Sequence, residues 1–197
     1  MEKFRRIKKE IRILAWDDGP FEFRSKSKTI LVGVVFRGGE FMDGLMKLEI
    51  DVDGDDAEEK IINIINKSKH KGQVRIMMLD GITFGGFNTV DIRNIYEKTK
   101  IPVIVVNRIR PDLEKFVDTI KKLPNSERRL KAVENAGEFY SVKIKNKSIY
   151  FQCHGIDIND AKEIIRLTST RSLIPEPLRI AHLIATGIIL GESVGRA

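Results

Sequence analysis

Apolar positions along this 197-residue chain fall into two spacings. Near-continuous apolar runs at residues 29–36, 74–79 and 103–106 read as strands buried on both faces. A shorter run at 12–16 ends on Asp17-Asp18-Gly19-Pro20, a turn signal. Residues 44–52 alternate instead, as a strand with one exposed face does. Helical spacing follows at 57–69, where Ile61, Ile62, Ile64 and Ile65 share one side. Further helices are expected at 89–98, 111–123, 126–135, 158–168 and 176–190. A late hairpin is expected from 139–144 and 148–152, turning at Lys145-Asn146-Lys147. Residues 1–10 read as a basic, exposed lead-in, and 21–28 as a charged loop carrying Lys26 and Lys28.

The order is β-β-β-α-β-α-β-α with a hairpin and helices appended. Three meandering strands followed by α/β units predict a mixed sheet in one domain, residues 1–197. The strand at 12–16 belongs in the centre, beside the strand that ends at Asp80. Asp17 and Asp80 would then sit at neighbouring strand ends on one edge. In open α/β sheets that edge is where ligands bind.

Composition narrows the chemistry. The chain carries 35 Lys and Arg against 28 Asp and Glu, a formal charge of +7, which favours a polyanionic partner, nucleic acid first. The single cysteine, Cys153, excludes a disulfide framework or a cysteine zinc cluster within the chain and points to a cytoplasmic protein. No signal peptide is read at the N-terminus. No apolar run reaches the roughly 18 residues of a membrane helix; the run at 180–190 is too short and holds His182. Only two glutamines among many Lys, Ile and Glu lean towards a thermophilic source. Neither haem nor a nucleotide cofactor is expected.

Three acidic clusters each follow a strand, giving Asp17, Asp53 and Asp80 as candidate metal ligands, with Asp18 as a spare. Carboxylates without cysteine suit a hard cation, Mg2+ or Mn2+. Such ions support phosphoryl displacement. Simpler readings stand beside this one. Asp80-Gly81 and Asp17-Asp18 can be turn formers. Asp53, Asp55 and Asp56 can cap the next helix. His154 can be a surface histidine, Gly85-Gly86 can serve close packing, and the arginines can be solvated singly.

Four segments carry a resemblance: Asp17-Asp18-Gly19-Pro20-Phe21, Asp53-Gly54-Asp55-Asp56-Ala57, Leu79-Asp80-Gly81-Ile82-Thr83-Phe84 and Ile174-Pro175-Glu176-Pro177-Leu178-Arg179. With the closing Gly191-Glu192-Ser193-Val194-Gly195-Arg196-Ala197, they resemble an archaeal family catalogued as domain of unknown function ninety-nine. That family is similar to endonuclease V. The resemblance implies a ribonuclease H-like mixed five-stranded sheet flanked by helices, with a C-terminal hairpin and helices appended. It implies catalytic roles for Asp17, Asp53, Asp80 and His154, metal binding by the three aspartates, and nucleic-acid contacts from Arg108, Arg110 and Arg179. Asp53 stands nearest to the catalytic Glu of endonuclease V. Glu40-Phe41-Met42-Asp43 replaces its Tyr-Ile-Pro wedge. The expected activity is metal-dependent hydrolysis of DNA or RNA. The alternatives are a nucleic-acid-binding protein without turnover and an enzyme acting on a small phosphorylated molecule.

Overall fold

The computed structural model describes residues 4–22 and 27–195. Lys26 of the charged loop and Arg196-Ala197 of the closing motif lie outside the described residues. The elements are β1 (Arg12–Asp18), β2 (Lys28–Arg37), β3 (Phe41–Asp51), α1 (Ala57–Lys67), β4 (Ile76–Asp80), β5 (Thr83–Phe84), β6 (Asn88–Thr89), α2 (Ile92–Thr99), β7 (Val103–Asn107), α3 (Leu113–Ile120), α4 (Ser126–Ala136), β8 (Tyr140–Ile144), β9 (Lys147–His154), α5 (Ile158–Thr168) and α6 (Glu176–Leu190).

The main sheet runs β3-β2-β1-β4-β7-β9-β8. β1, β4 and β7 are parallel, and the outer pairs are antiparallel. The ribonuclease H-like mixed sheet flanked by helices is therefore as expected, with β1 beside β4. The late hairpin is not an appendage, however. β9 pairs with β7, and the sheet grows from five strands to seven.

Strand parity sorts the core into two layers, because successive side chains point to opposite faces. Ile13 and Ala15 of β1 and Ile76 and Met78 of β4 pack with α5 and α6. Leu14, Trp16, Met77 and Leu79 pack with α1 and α2. The same parity carries Asp17 and Asp80 onto the α6 side and Asp18 onto the α1 side. Gly33 of β2 faces Trp16 in register, and a Cβ there would lie 2.6 Å from the indole ring. A glycine inside an apolar strand is thus required by the tryptophan opposite it.

The turn after β3 differs in detail from a simple cap. Asp56 occupies the N-cap position of α1 but makes no capping bond. Instead Asn88, from β6, accepts from the Ala57 N–H at 3.0 Å and donates to the Asp56 carboxylate at 2.6 Å. Arg129 of α4, buried to 1% exposure, donates to the carbonyls of Phe87, Asp53 and Gly54. A charged helix face therefore supplies the rivet that holds the β3–α1 turn against the loop after β4.

Candidate active site

β1 continues through Asp17 and Asp18 instead of ending before them, so both acids are fixed by strand backbone. Register pairs Trp16 with Leu79, and the next step sets Asp17 beside Asp80. Asp17 is buried. Its Oδ1 accepts from the Asp18 N–H at 2.9 Å, and its Oδ2 pairs with His182 Nδ1 at 3.0 Å. Burial pushes its carboxyl up to about 6, against the pull of the His182 hydrogen bond. Asp18 is likewise raised to about 6 by burial, while its Oδ2 accepts from the Gly85 N–H.

Asp80 is the least committed of the three. Its carboxylate accepts no hydrogen bond among the described residues and stays half-buried at the open edge. Burial pushes it up to about 7, and the negative charge of Asp17 adds to the rise. The charges of His182 and Arg108 act the other way. Arg108 follows β7, whose Val106 is the register partner of Asp80.

His182 was not among the sequence candidates. α6 runs along β1 and brings it to Asp17 across 165 residues of sequence. Its hydrogen bond to Asp17 holds the ring above its ordinary value. Among the described residues, Nε2 is buried without a hydrogen bond of normal geometry, although the nearby Val194 carbonyl also favours the protonated ring. The available signal was a lone histidine interrupting an apolar helix.

Two candidates lie elsewhere. His154 ends β9, which is antiparallel to β7, so it faces Val103 at the opposite edge of the sheet. There it packs on Tyr96 with ring centroids 5.4 Å apart. Asp53 follows β3 at the correct edge, but β2 stands between β3 and β1. Two strand spacings, about 10 Å, separate it from β1. Its Oδ1 accepts from the Phe87 N–H at 2.9 Å, and a Cβ on Gly86 would collide with that oxygen. Gly85 and Gly86, both at positive φ, thus serve the close approach of two loops. Asp18 lies nearer than Asp53 and feels the charge of Asp80, but it points to the α1 side, across the sheet from the Asp17–Asp80 pair. Arg179 is held by Glu176 through two hydrogen bonds, at 2.9 and 2.6 Å, one helical turn before His182. Arg110 is exposed beyond β7.

Beside Asp80 opens a pocket of about 230 Å3. Gly81, Ile82 and Phe116 line it, with Thr83, Asn107 and Gln152 as polar members. Gln152 is fixed by donating to the Gly137 carbonyl at 2.8 Å, which leaves its side-chain oxygen free to accept.

Among the described residues, no three His, Cys, Asp or Glu side chains are gathered closely enough to form a ready metal cage. Two carboxylates still suit magnesium, which keeps several waters and commonly takes one or two protein carboxylates. The open carboxylate of Asp80 next to Asp17 matches that donor set.

A family model described as endonuclease dU matches residues 9–189. A UPF0215 protein of Methanothermobacter thermautotrophicus is 50% identical over 195 residues, covering 98% of this chain and 95% of its own length. One from Methanosarcina barkeri is 53% identical over 191 residues, 97% of each. Among solved structures, a protein of unknown function from Archaeoglobus fulgidus superposes with a TM-score of 0.81 at 42% identity, over 90% of this chain and 97% of that one. Ciona intestinalis endonuclease V, in complex with a 24mer DNA containing an inosine followed by a ribo-adenosine, gives 0.60 at 13% identity, over 91% and 86%. At that identity the likeness is one of fold.

Proposed function

The chain belongs to the endonuclease dU family, and on that premise we propose that it hydrolyses phosphodiester bonds in nucleic acid with a divalent cation held at the Asp17–Asp80 edge. The observation that carries this reading is the Asp80 carboxylate, half-buried and, among the described residues, without a hydrogen-bond donor, beside a second carboxylate at the end of a parallel strand. Leaving such a group unpaired is costly, and a bound cation removes the cost.

Asp17 and Asp80 would hold the ion, Mg2+ or Mn2+. Bound there, it would supply Lewis-acid polarisation of a phosphoryl oxygen or activation of a water. His182 orients Asp17 through the Nδ1–Oδ2 hydrogen bond. Arg108, whose charge already reaches Asp80, would bind a non-bridging phosphate oxygen, and Arg110 the adjoining backbone. The pocket beside Asp80 would receive one nucleobase turned out of the stack, with Asn107 and Gln152 reading its polar edge. The dU of the family description and the inosine in the Ciona complex support a deaminated base as the substrate class.

The test uses labelled single-stranded and duplex oligonucleotides of DNA and RNA, with uracil, inosine or no damage, plus Mg2+ or Mn2+. The expected product is a cleaved strand that requires the cation and disappears in Asp80→Asn. No product, or equal product from both chains, overturns the proposal. A binding protein without turnover is the second reading, favoured by the position of Asp53 away from the acid pair. It expects tight, salt-sensitive nucleic-acid binding and no cation at Asp17 and Asp80.

A further inference from the structure

The opposite edge of the sheet carries a different kind of site. Where β1 and β4 begin, a groove of about 360 Å3 is lined by Arg6, Lys8, Arg12 and Arg75, with Glu10 as its one acid. Four cations against one anion give the lining a charge of +3. Glu10 is directed to Arg37 at 3.5 Å, and Arg12 to Asp43 at 3.4 Å. Among the described residues, Arg6, Lys8 and Arg75 enter no ion pair or side-chain hydrogen bond. Gly72 contributes open space and a backbone N–H that makes no backbone hydrogen bond among the described residues.

The lead-in is also pinned, which a freely solvated basic tail would not be. The Phe4 N–H donates to Asp160 at 2.8 Å, Phe4 and Ile7 pack on the core, and the Ile11 N–H donates to the Lys8 carbonyl. Part of the ordering cost of holding Arg6 and Lys8 over the groove is therefore met before any ligand arrives. Unpaired like charges brought together repel one another, so an anion seated among them is favoured.

We propose that this groove is a second phosphodiester-binding site, holding nucleic-acid backbone at the edge away from Asp17 and Asp80. The seven residues of β1 separate the two edges, about 20 Å at strand rise. A strand engaged at one edge must wrap the sheet to reach the other, or a second segment binds there. The choice of nucleic acid rests on the reading above, whereas the anion preference does not.

The test is binding of labelled, undamaged duplex DNA in EDTA across a salt series, which requires no catalysis. The triple variant Arg6→Gln, Lys8→Gln, Arg75→Gln is compared with Lys143→Gln, Lys145→Gln, Lys147→Gln on the exposed β8–β9 hairpin. Each neutralised phosphate contributes about 0.9 to the slope of log K against log salt. The groove variant is expected to lose roughly 3 from that slope, and the hairpin variant less than about 1. A groove-variant slope equal to wild type overturns the proposal, as does an equal loss in both variants. Saturable binding of inorganic pyrophosphate without DNA binding also overturns it. Cleavage of a short uracil oligonucleotide is read in parallel. Lost slope without any cleavage defeats the nuclease reading and leaves the groove standing.

Discussion

Replacing Asp80 by Asn should stabilise the metal-free protein at alkaline pH, and the size of the effect follows from its surroundings. Burial raises the folded-state carboxyl from 3.8 to about 7. The folded chain thus binds this proton more tightly than the unfolded chain does. Below pH about 4 both states carry the proton and the group is neutral to stability. As pH rises towards 7 the unfolded state releases its proton first, and stability falls. Above 7 the full cost is present, at most roughly 4 kcal/mol for that interval. Asp80 is half-buried, so water offsets part of this, and about 2 kcal/mol is the expected gain. For a chain of this size that is about 4–8 °C in Tm. The assay is thermal unfolding by circular dichroism in EDTA, from pH 4 to 8.5, for wild type and Asp80→Asn. The two should melt together near pH 4 and separate steadily above it. An Asn variant that gains nothing at pH 8, or gains as much at pH 4, refutes the reasoning.

Three further outcomes follow from particular contacts. In Asp17→Asn the imidazole of His182 should titrate lower than in wild type, because the carboxylate partner that chiefly raises it becomes a neutral amide; the C2–H shift in an NMR titration reads this, and an unmoved midpoint contradicts it. Gly33→Ala drives a methyl into the Trp16 ring and should destabilise by about 1–3 kcal/mol, measured as a fall in the denaturant midpoint. Arg129→Met leaves the carbonyls of Phe87, Asp53 and Gly54 without their donor and should cost about 3 kcal/mol; hydrogen exchange should rise at residues 53–54 and 85–87, and unchanged protection there would contradict the rivet role.

Much of the sheet was legible because its central strands are buried on both faces and read as unbroken apolar runs. Strand order then followed from short connections, which set Asp17 beside Asp80. The failures share one physical cause: contacts between residues remote in sequence. The position of Asp53 depends on β2 lying between β3 and β1, which a strand–turn–helix pattern does not encode. His154 was misplaced because the residue type at the end of β9 says nothing of strand direction; pairing antiparallel to β7 carries it to the wrong edge. His182 reaches the acids only through the path of α6. Arg129 sits in a charged helix whose pattern predicts solvent, yet it is buried because three loop carbonyls and Asp55 need a donor. Asp18 was legible as an acid, but its role depends on the Gly85 N–H that meets it.

The most direct measurement is Mn2+ titration followed by electron paramagnetic resonance, at pH 8, for wild type, Asp80→Asn and Asp17→Asn. The account predicts saturable binding to the wild-type chain, displaced by Mg2+ and lost in both variants. Equal Mn2+ binding by all three chains, or none by the wild type, would contradict it.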